Sequence, residues 1–134
     1  MRIDGACHCG EISYEAEVDP GQVEICHCTD CQKLSGSAFR IVVPAAARDF
    51  RLLTGQPRFY IKTAESGANR LQAFCPVCGT SIYATAAVGE PKIYGIRLGT
   101  ARQRNSLPPK RQYWRRSALP WIDDIGSLPR FERE

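Results

Sequence analysis

The sequence predicts an all-β protein, built from antiparallel sheets joined by metal-binding cysteine knuckles, with few short helices. Three observations predict it. Runs rich in β-branched and aromatic residues recur between Gly, Pro, Asn and Asp turn signals. Helical periodicity is nearly absent. Seven cysteines stand in three tight clusters.

The strands follow in order. Residues 11–18 alternate apolar and polar side chains and stop at Asp19-Pro20-Gly21. Residues 38–43 form a second run that stops at Pro44, which has no N–H to give a ladder. Residues 50–53 turn through Thr54-Gly55-Gln56-Pro57 into residues 58–63. The turn Ser66-Gly67-Ala68-Asn69 leads into residues 70–74. Residues 81–85 and 92–98 complete the set, parted by Gly89-Glu90-Pro91. One short helix is expected at about residues 30–34, with Thr29 as N-cap and Gly36 as terminator. After Leu107 the chain is rich in Pro, Trp and Arg and reads as an extended wrap. No fixed repeat and no Gly/Ser linker divides the 134 residues, a length that suits one domain, 1–134.

Composition excludes several classes. Hydrophobic residues at 43% and charged residues at 24% exclude a disordered chain. No apolar run approaches the roughly 20 residues of a membrane span. No secretory signal is visible after Met1, so the expected location is cytoplasmic, with reduced thiols. The formal net charge is +4. Ionised thiols on bound metal would lower it toward neutrality, so charge argues weakly for a nucleic-acid partner.

The cysteines lie at positions 7, 9, 26, 28, 31, 75 and 78. An odd count prevents complete disulfide pairing, and clustered reduced thiols point to metal. Zinc takes four ligands in a tetrahedron. Cys75 and Cys78 have knuckle spacing before Gly79, and Cys7 and Cys9 precede Gly10. In extended chain Cys7 and Cys9 share a face while His8 points away. Pairing these chelates gives a closed site of Cys7, Cys9, Cys75 and Cys78. Cys26, Cys28 and Cys31 then form a three-thiol loop with one open position, the pattern of a catalytic zinc. Other partitions stay open, such as Cys7 and Cys9 with Cys26 and Cys28, or a second structural zinc closed by His27 or His8.

The sequence resembles the glutathione-dependent formaldehyde-activating enzyme family, which shares its domain with centromere protein V. The matching segments are Gly5-Ala6-Cys7-His8-Cys9-Gly10, Cys26 to Gly36, and Phe74 to Thr80. The resemblance covers about residues 3–121 and leaves 122–134 as a C-terminal tail. It implies a β-tent fold, a structural zinc on Cys7, Cys9, Cys75 and Cys78, and a catalytic zinc on Cys26, Cys28 and Cys31. It also implies a carbon–sulfur lyase activity joining glutathione, or another thiol, to formaldehyde or a related small aldehyde. The chain departs from the family near its end. Ala101-Arg102-Gln103-Arg104 stands where members often carry an acidic pair, and Gln112 where a histidine is often found.

The implied partner is a small-molecule thiol such as glutathione, whose two carboxylates call for a cation. Lys33 is the leading candidate, with Arg40 and Arg70 behind it. Ser35 and Gly36 offer a hydroxyl and an unhindered N–H to such a ligand. His27 is a candidate proton carrier. The segment Arg111 to Arg116 with Trp121 mixes basic and aromatic residues, which suits either single-stranded nucleic acid or a strap anchored on the sheet. Pro108, Pro109 and Pro120 favour the strap. The competing function is a zinc-stabilised binding module without catalysis, with nucleic acid as its possible target.

Overall fold

The computed structural model describes residues 1–89 and 92–134, so the Glu90-Pro91 part of the expected turn lies outside the described residues. Two sheets carry the architecture. The smaller has the order β1–β2–β5, from Arg2–Ala6, Ser13–Glu17 and Phe50–Thr54. The larger has seven strands in the order β10–β3–β4–β9–β8–β7–β6. These are Arg111–Tyr113, Glu24–Cys26, Arg40–Ala46, Ile93–Arg97, Ser81–Ala86, Asn69–Phe74 and Arg58–Thr63. The protein is mostly β with antiparallel pairing, and its one α-helix among the described residues, α1, runs Thr29–Ser35. The exception is β10, which joins β3 in parallel.

The two sheets face each other through rings and branched aliphatics. Tyr14 and Phe50 from the small sheet meet Tyr83 and Tyr94 from the large one. Phe50 stacks on Tyr94 at 4.7 Å and on Tyr14 at 5.6 Å, and meets Tyr83 edge-on at 5.1 Å. Each such pair adds about 0.5–1.5 kcal/mol beyond its buried area. Ile3, Ile12, Val43, Ile82, Ile96 and Leu107 are fully buried around them.

Register decides what the far face of the large sheet carries. Side chains alternate along a strand, so Val43, Ala45, Ala73 and Ile96 point into the core. Their neighbours point the other way. Cys26 stands opposite Arg40, Val42 opposite Arg97, and Pro44 opposite Gly95. Ala84 pairs both Gly95 and Gln72, and Lys62 pairs Arg70. The outer face therefore has a floor of small residues with charged side chains around it.

Several sequence expectations are corrected. β1 was not expected, because Asp4 and Gly5 are poor strand formers. It forms because Gly5 lies against the core: a Cβ there would meet Thr100 O at 2.3 Å and Tyr14 Oη at 2.5 Å. β4 does not stop at Pro44 but continues to Ala46. β3 pairs with β4 only as far as Val42, so Pro44 sits where that side of β4 is an edge. The N-cap of α1 is Cys28, whose Sγ accepts from the Cys31 N–H at 3.2 Å, rather than Thr29. Gly36 does end the helix, in the left-handed conformation at φ 65°. The wrap after Leu107 includes β10, whose parallel pairing was not foreseen.

The segment that departs from the family pattern has its own task. Asp4 Oδ1 accepts from Arg102 Nη2 at 2.7 Å and from Gln103 Nε2 at 2.6 Å. The Arg102 N–H donates to Asp4 O at 2.9 Å. These residues clasp β1 to the turn after β9, and the Arg102 and Gln103 bonds hold the Asp4 carboxyl below its usual pKa.

Candidate metal centre

The seven cysteines fall into two groups, Cys7 with Cys9, Cys75 and Cys78, and Cys26 with Cys28 and Cys31. Within each group the sulfurs lie within 4.8 Å of one another. The alternative that mixed the first two clusters is not what the fold brings together.

The four-thiol group joins the sheets. Cys7 and Cys9 follow β1 of the small sheet, while Cys75 and Cys78 follow β7 of the large one. Cys7 Sγ and Cys9 Sγ are 3.6 Å apart, and Cys9 Sγ and Cys75 Sγ 3.7 Å. Zinc–sulfur bonds of about 2.3 Å in a tetrahedron place sulfurs about 3.8 Å apart, far beyond a disulfide, so the donor set fits zinc. Backbone N–H groups turn toward the sulfurs: Ile12 N–H donates to Cys7 Sγ at 3.2 Å and Val77 N–H to Cys75 Sγ at 3.4 Å. The Thr80 hydroxyl accepts from His8 N–H at 3.1 Å and meets Cys78 Sγ at 3.2 Å. That hydroxyl, with backbone N–H bonds, draws the Cys78 thiol down to about 5. Gly10 and Gly79 follow the chelates with φ of 84° and 79°, a turn that a side chain would strain. His8 is exposed and takes no part.

The three-thiol group sits on one loop, from the end of β3 through the first turn of α1. Its thiols hydrogen-bond among themselves. The Cys31 thiol hydrogen-bonds to Cys26 and, with the Cys28 N–H and the Lys62 charge, lowers the Cys26 thiol to about 5. Cys31 is pushed up by the same bond and by burial. Among the described residues no fourth His, Cys, Asp or Glu joins this trio. His27 is buried, but its Nε2–H donates to Gln112 Oε1 at 2.7 Å and its Nδ1 has no partner. Its position between two ligand candidates thus serves the strap: His27 N–H donates to Tyr113 O at 3.0 Å, beside β10. Gln32 Nε2 reinforces this by donating to His27 O at 2.9 Å and Ser117 O at 3.0 Å.

A cleft of about 330 Å³ opens beside the trio over the outer face of the large sheet. Cys26, Cys28 and Cys31 line one end, with Arg40, Arg70, Arg97, Lys62, Gln72 and Trp114 among its walls. Arg40 and Arg70 were foreseen as cations; Arg97, Gln72, Lys62 and Trp114 were not. Lys33, Ser35 and Gly36 are exposed and do not line this cleft. Ser35 Oγ instead accepts from Ser37 N–H at 3.2 Å, inside the helix terminus. Lys62 Nζ pairs with Asp30 Oδ2 at 2.9 Å. Trp114, with φ 57°, is the one non-glycine residue in the left-handed region among the described residues, and Arg116 lies 4.8 Å above its ring. Burial lowers Arg40 below its usual pKa and takes Arg97 down to about 9.

Among the described residues, no helix is long and apolar enough to cross a membrane. Among solved structures, a crystal structure of a Rhodobacter sphaeroides protein matches 81% of this chain and 98% of its own, with TM-score 0.62 and 20% identity, a likeness of fold. A search of curated proteins finds no match. A model of the glutathione-dependent formaldehyde-activating enzyme family matches residues 2–117, which takes in all seven cysteines, the helix between them and β10. The chain belongs to the glutathione-dependent formaldehyde-activating enzyme family.

Proposed function

We propose that the protein is a zinc-dependent carbon–sulfur lyase of the S-(hydroxymethyl)glutathione synthase kind, joining a thiol such as glutathione to formaldehyde or a related small aldehyde. The carrying observation is the trio Cys26, Cys28 and Cys31 at the end of an open cleft, with no fourth side-chain ligand among the described residues. Family membership supports the same reading.

Zinc on this trio would supply an open coordination position that ionises a substrate thiol or polarises a carbonyl oxygen. In the condensing direction the thiol sulfur bonds to the carbonyl carbon, and the carbonyl π pair moves onto oxygen. The proton leaving the thiol ends on that oxygen as a hydroxyl, so the step is balanced without an oxidant. The residues of this chain bind and orient. The cationic walls attract an anionic thiol, and Trp114 lines the same cleft as Cys28. The four-thiol group is read as a structural zinc that holds the two sheets together. The same reading places the protein in the cytoplasm, where thiols stay reduced. A binding module without catalysis is the weaker reading, since its second metal should be closed by a protein side chain.

The test is exchange NMR on the adduct equilibrium of glutathione and formaldehyde with the zinc-loaded protein. Exchange faster than the uncatalysed control is expected, and lost in Cys28→Ser. An exchange rate equal to the control overturns the activity.

A further inference from the structure

Arg40 and Arg97 present a charge that the fold leaves unbalanced. Arg40 is 6% exposed, the one charged residue in the buried set among the described residues. Arg97 lies deep in the cleft wall, and its Nε–H is buried with no hydrogen-bond partner. Both guanidinium groups donate to the same neutral atom, Gln72 Oε1, Arg97 Nη2 at 2.7 Å and Arg40 Nη1 at 3.3 Å. No carboxylate among the described residues forms an ion pair with either, or with Arg70 nearby. Glu24 is the acid in this cleft, and it stands in register with Val42 and Arg111.

Two like charges drawn to one amide oxygen repel each other, and burying unpaired charge is costly. The thiol trio does not balance them, because three thiolates around a divalent ion leave one negative charge. A carboxylate would. It would replace the neutral oxygen as shared acceptor, and guanidinium forks match its planar oxygens. Room is provided for it. The floor between Gln72 and Arg97 is Ala84 and Gly95, small residues that line the cleft of about 330 Å³ together with both.

We propose that Arg40 and Arg97, bridged by Gln72, form a carboxylate-binding subsite for the molecule that reaches the three thiols. This rests on reading that cleft as the reaction site. The carboxylate belongs either to the thiol component or to the carbonyl component. A substrate pair lacking one, such as a small uncharged thiol with formaldehyde, leaves the subsite empty.

Calorimetry on the zinc-loaded protein tests it without turnover. S-methylglutathione, whose sulfur is blocked, is compared with its diethyl ester, and glyoxylate with glycolaldehyde; inorganic phosphate is the third probe. Each carboxylate that belongs here binds more tightly than its uncharged counterpart. Arg97→Gln or Arg40→Gln weakens it by about tenfold to a hundredfold, the span of a lost charge-assisted hydrogen bond. The S-methylglutathione arm identifies the thiol component as the source and the glyoxylate arm the carbonyl component. Gln72→Glu guards against variants that do not fold: a resident carboxylate should occupy both guanidiniums, abolish carboxylate binding and keep or raise Tm. Esters binding as tightly as acids, phosphate binding more tightly than both carboxylates, or unchanged binding in Gln72→Glu overturns the subsite. Carboxylate binding without accelerated adduct exchange keeps the subsite and removes the lyase.

Discussion

The sulfurs of Cys9 and Cys75 lie 3.7 Å apart although 66 residues separate them and they follow strands of different sheets. Among the described residues, apolar packing, hydrogen bonds and the Arg102–Asp4 ion pair also tie the two halves together. The tie at Cys9 and Cys75 is a group of thiols placed to hold a metal, whose strength would depend on that metal, which sets the first expectation.

Cys78→Ser should cost stability, while Cys28→Ser should cost metal and activity. A structural zinc supplies folding free energy directly, so Cys78→Ser should lose several kcal/mol, roughly 10 °C or more in Tm. Cys28→Ser should lose one of two zinc equivalents and melt within a few degrees of wild type. Metal analysis by mass spectrometry, with melting followed by circular dichroism, reads both. Equal behaviour would remove the division of roles.

Gly5→Ala should destabilise without touching either thiol group. The added methyl would meet Thr100 O at 2.3 Å, a backbone atom that cannot swing aside. Overpacking of this kind costs about 1–3 kcal/mol, or more where backbone must move. Urea denaturation gives the value, and zinc content should stay at the wild-type level.

Gln112→Leu should strand a buried donor. His27 Nε2–H bonds to Gln112 Oε1 at 2.7 Å, and His27 is 1% exposed. Leaving such a group unsatisfied costs about 1–3 kcal/mol. A loss within that span in chemical denaturation, with little change in metal content, is the expected result.

Alkaline pH should unfold the protein partly through its core tyrosines. Burial pushes Tyr14 from an ordinary value near 10 up to about 12, and Tyr83 likewise. Between those values the unfolded state releases protons that the folded state keeps. Stability is therefore full below pH 10 and falls as pH rises toward 12. Tyr14→Phe should flatten that limb while losing about 1 kcal/mol at pH 7, because Tyr14 Oη meets Thr100 Oγ1 at 2.8 Å. Denaturation midpoints between pH 8 and pH 12 check the slope.

What the sequence could convey follows the range of each signal. Alternation is local, so most strands were legible, as was the Gly36 terminator. Cysteine spacing is local too, and it pointed to the grouping that the fold assembles. The cleft walls are different. Arg97 meets Gln72 only because β9, β8 and β7 lie side by side with Ala84 between them, and single-chain periodicity carries no register. One cue was present: Arg70, Gln72 and Arg97 occupy alternate positions beside core residues, which places polar groups on the outer face. Lys33 was favoured for closeness in sequence to the chelating loop, yet a seven-residue helix turns it out to solvent. β10 gave no warning because all three of its residues are exposed.

Because Tyr113 lies in register with Cys26, the two thiol groups do not become available together as the chain is synthesised. The quartet has all its sulfurs once residue 78 is made, whereas the trio waits for a neighbour 87 positions beyond its first cysteine. A chain cut short between those points would carry both sets of sulfurs but lack the strand that borders the trio.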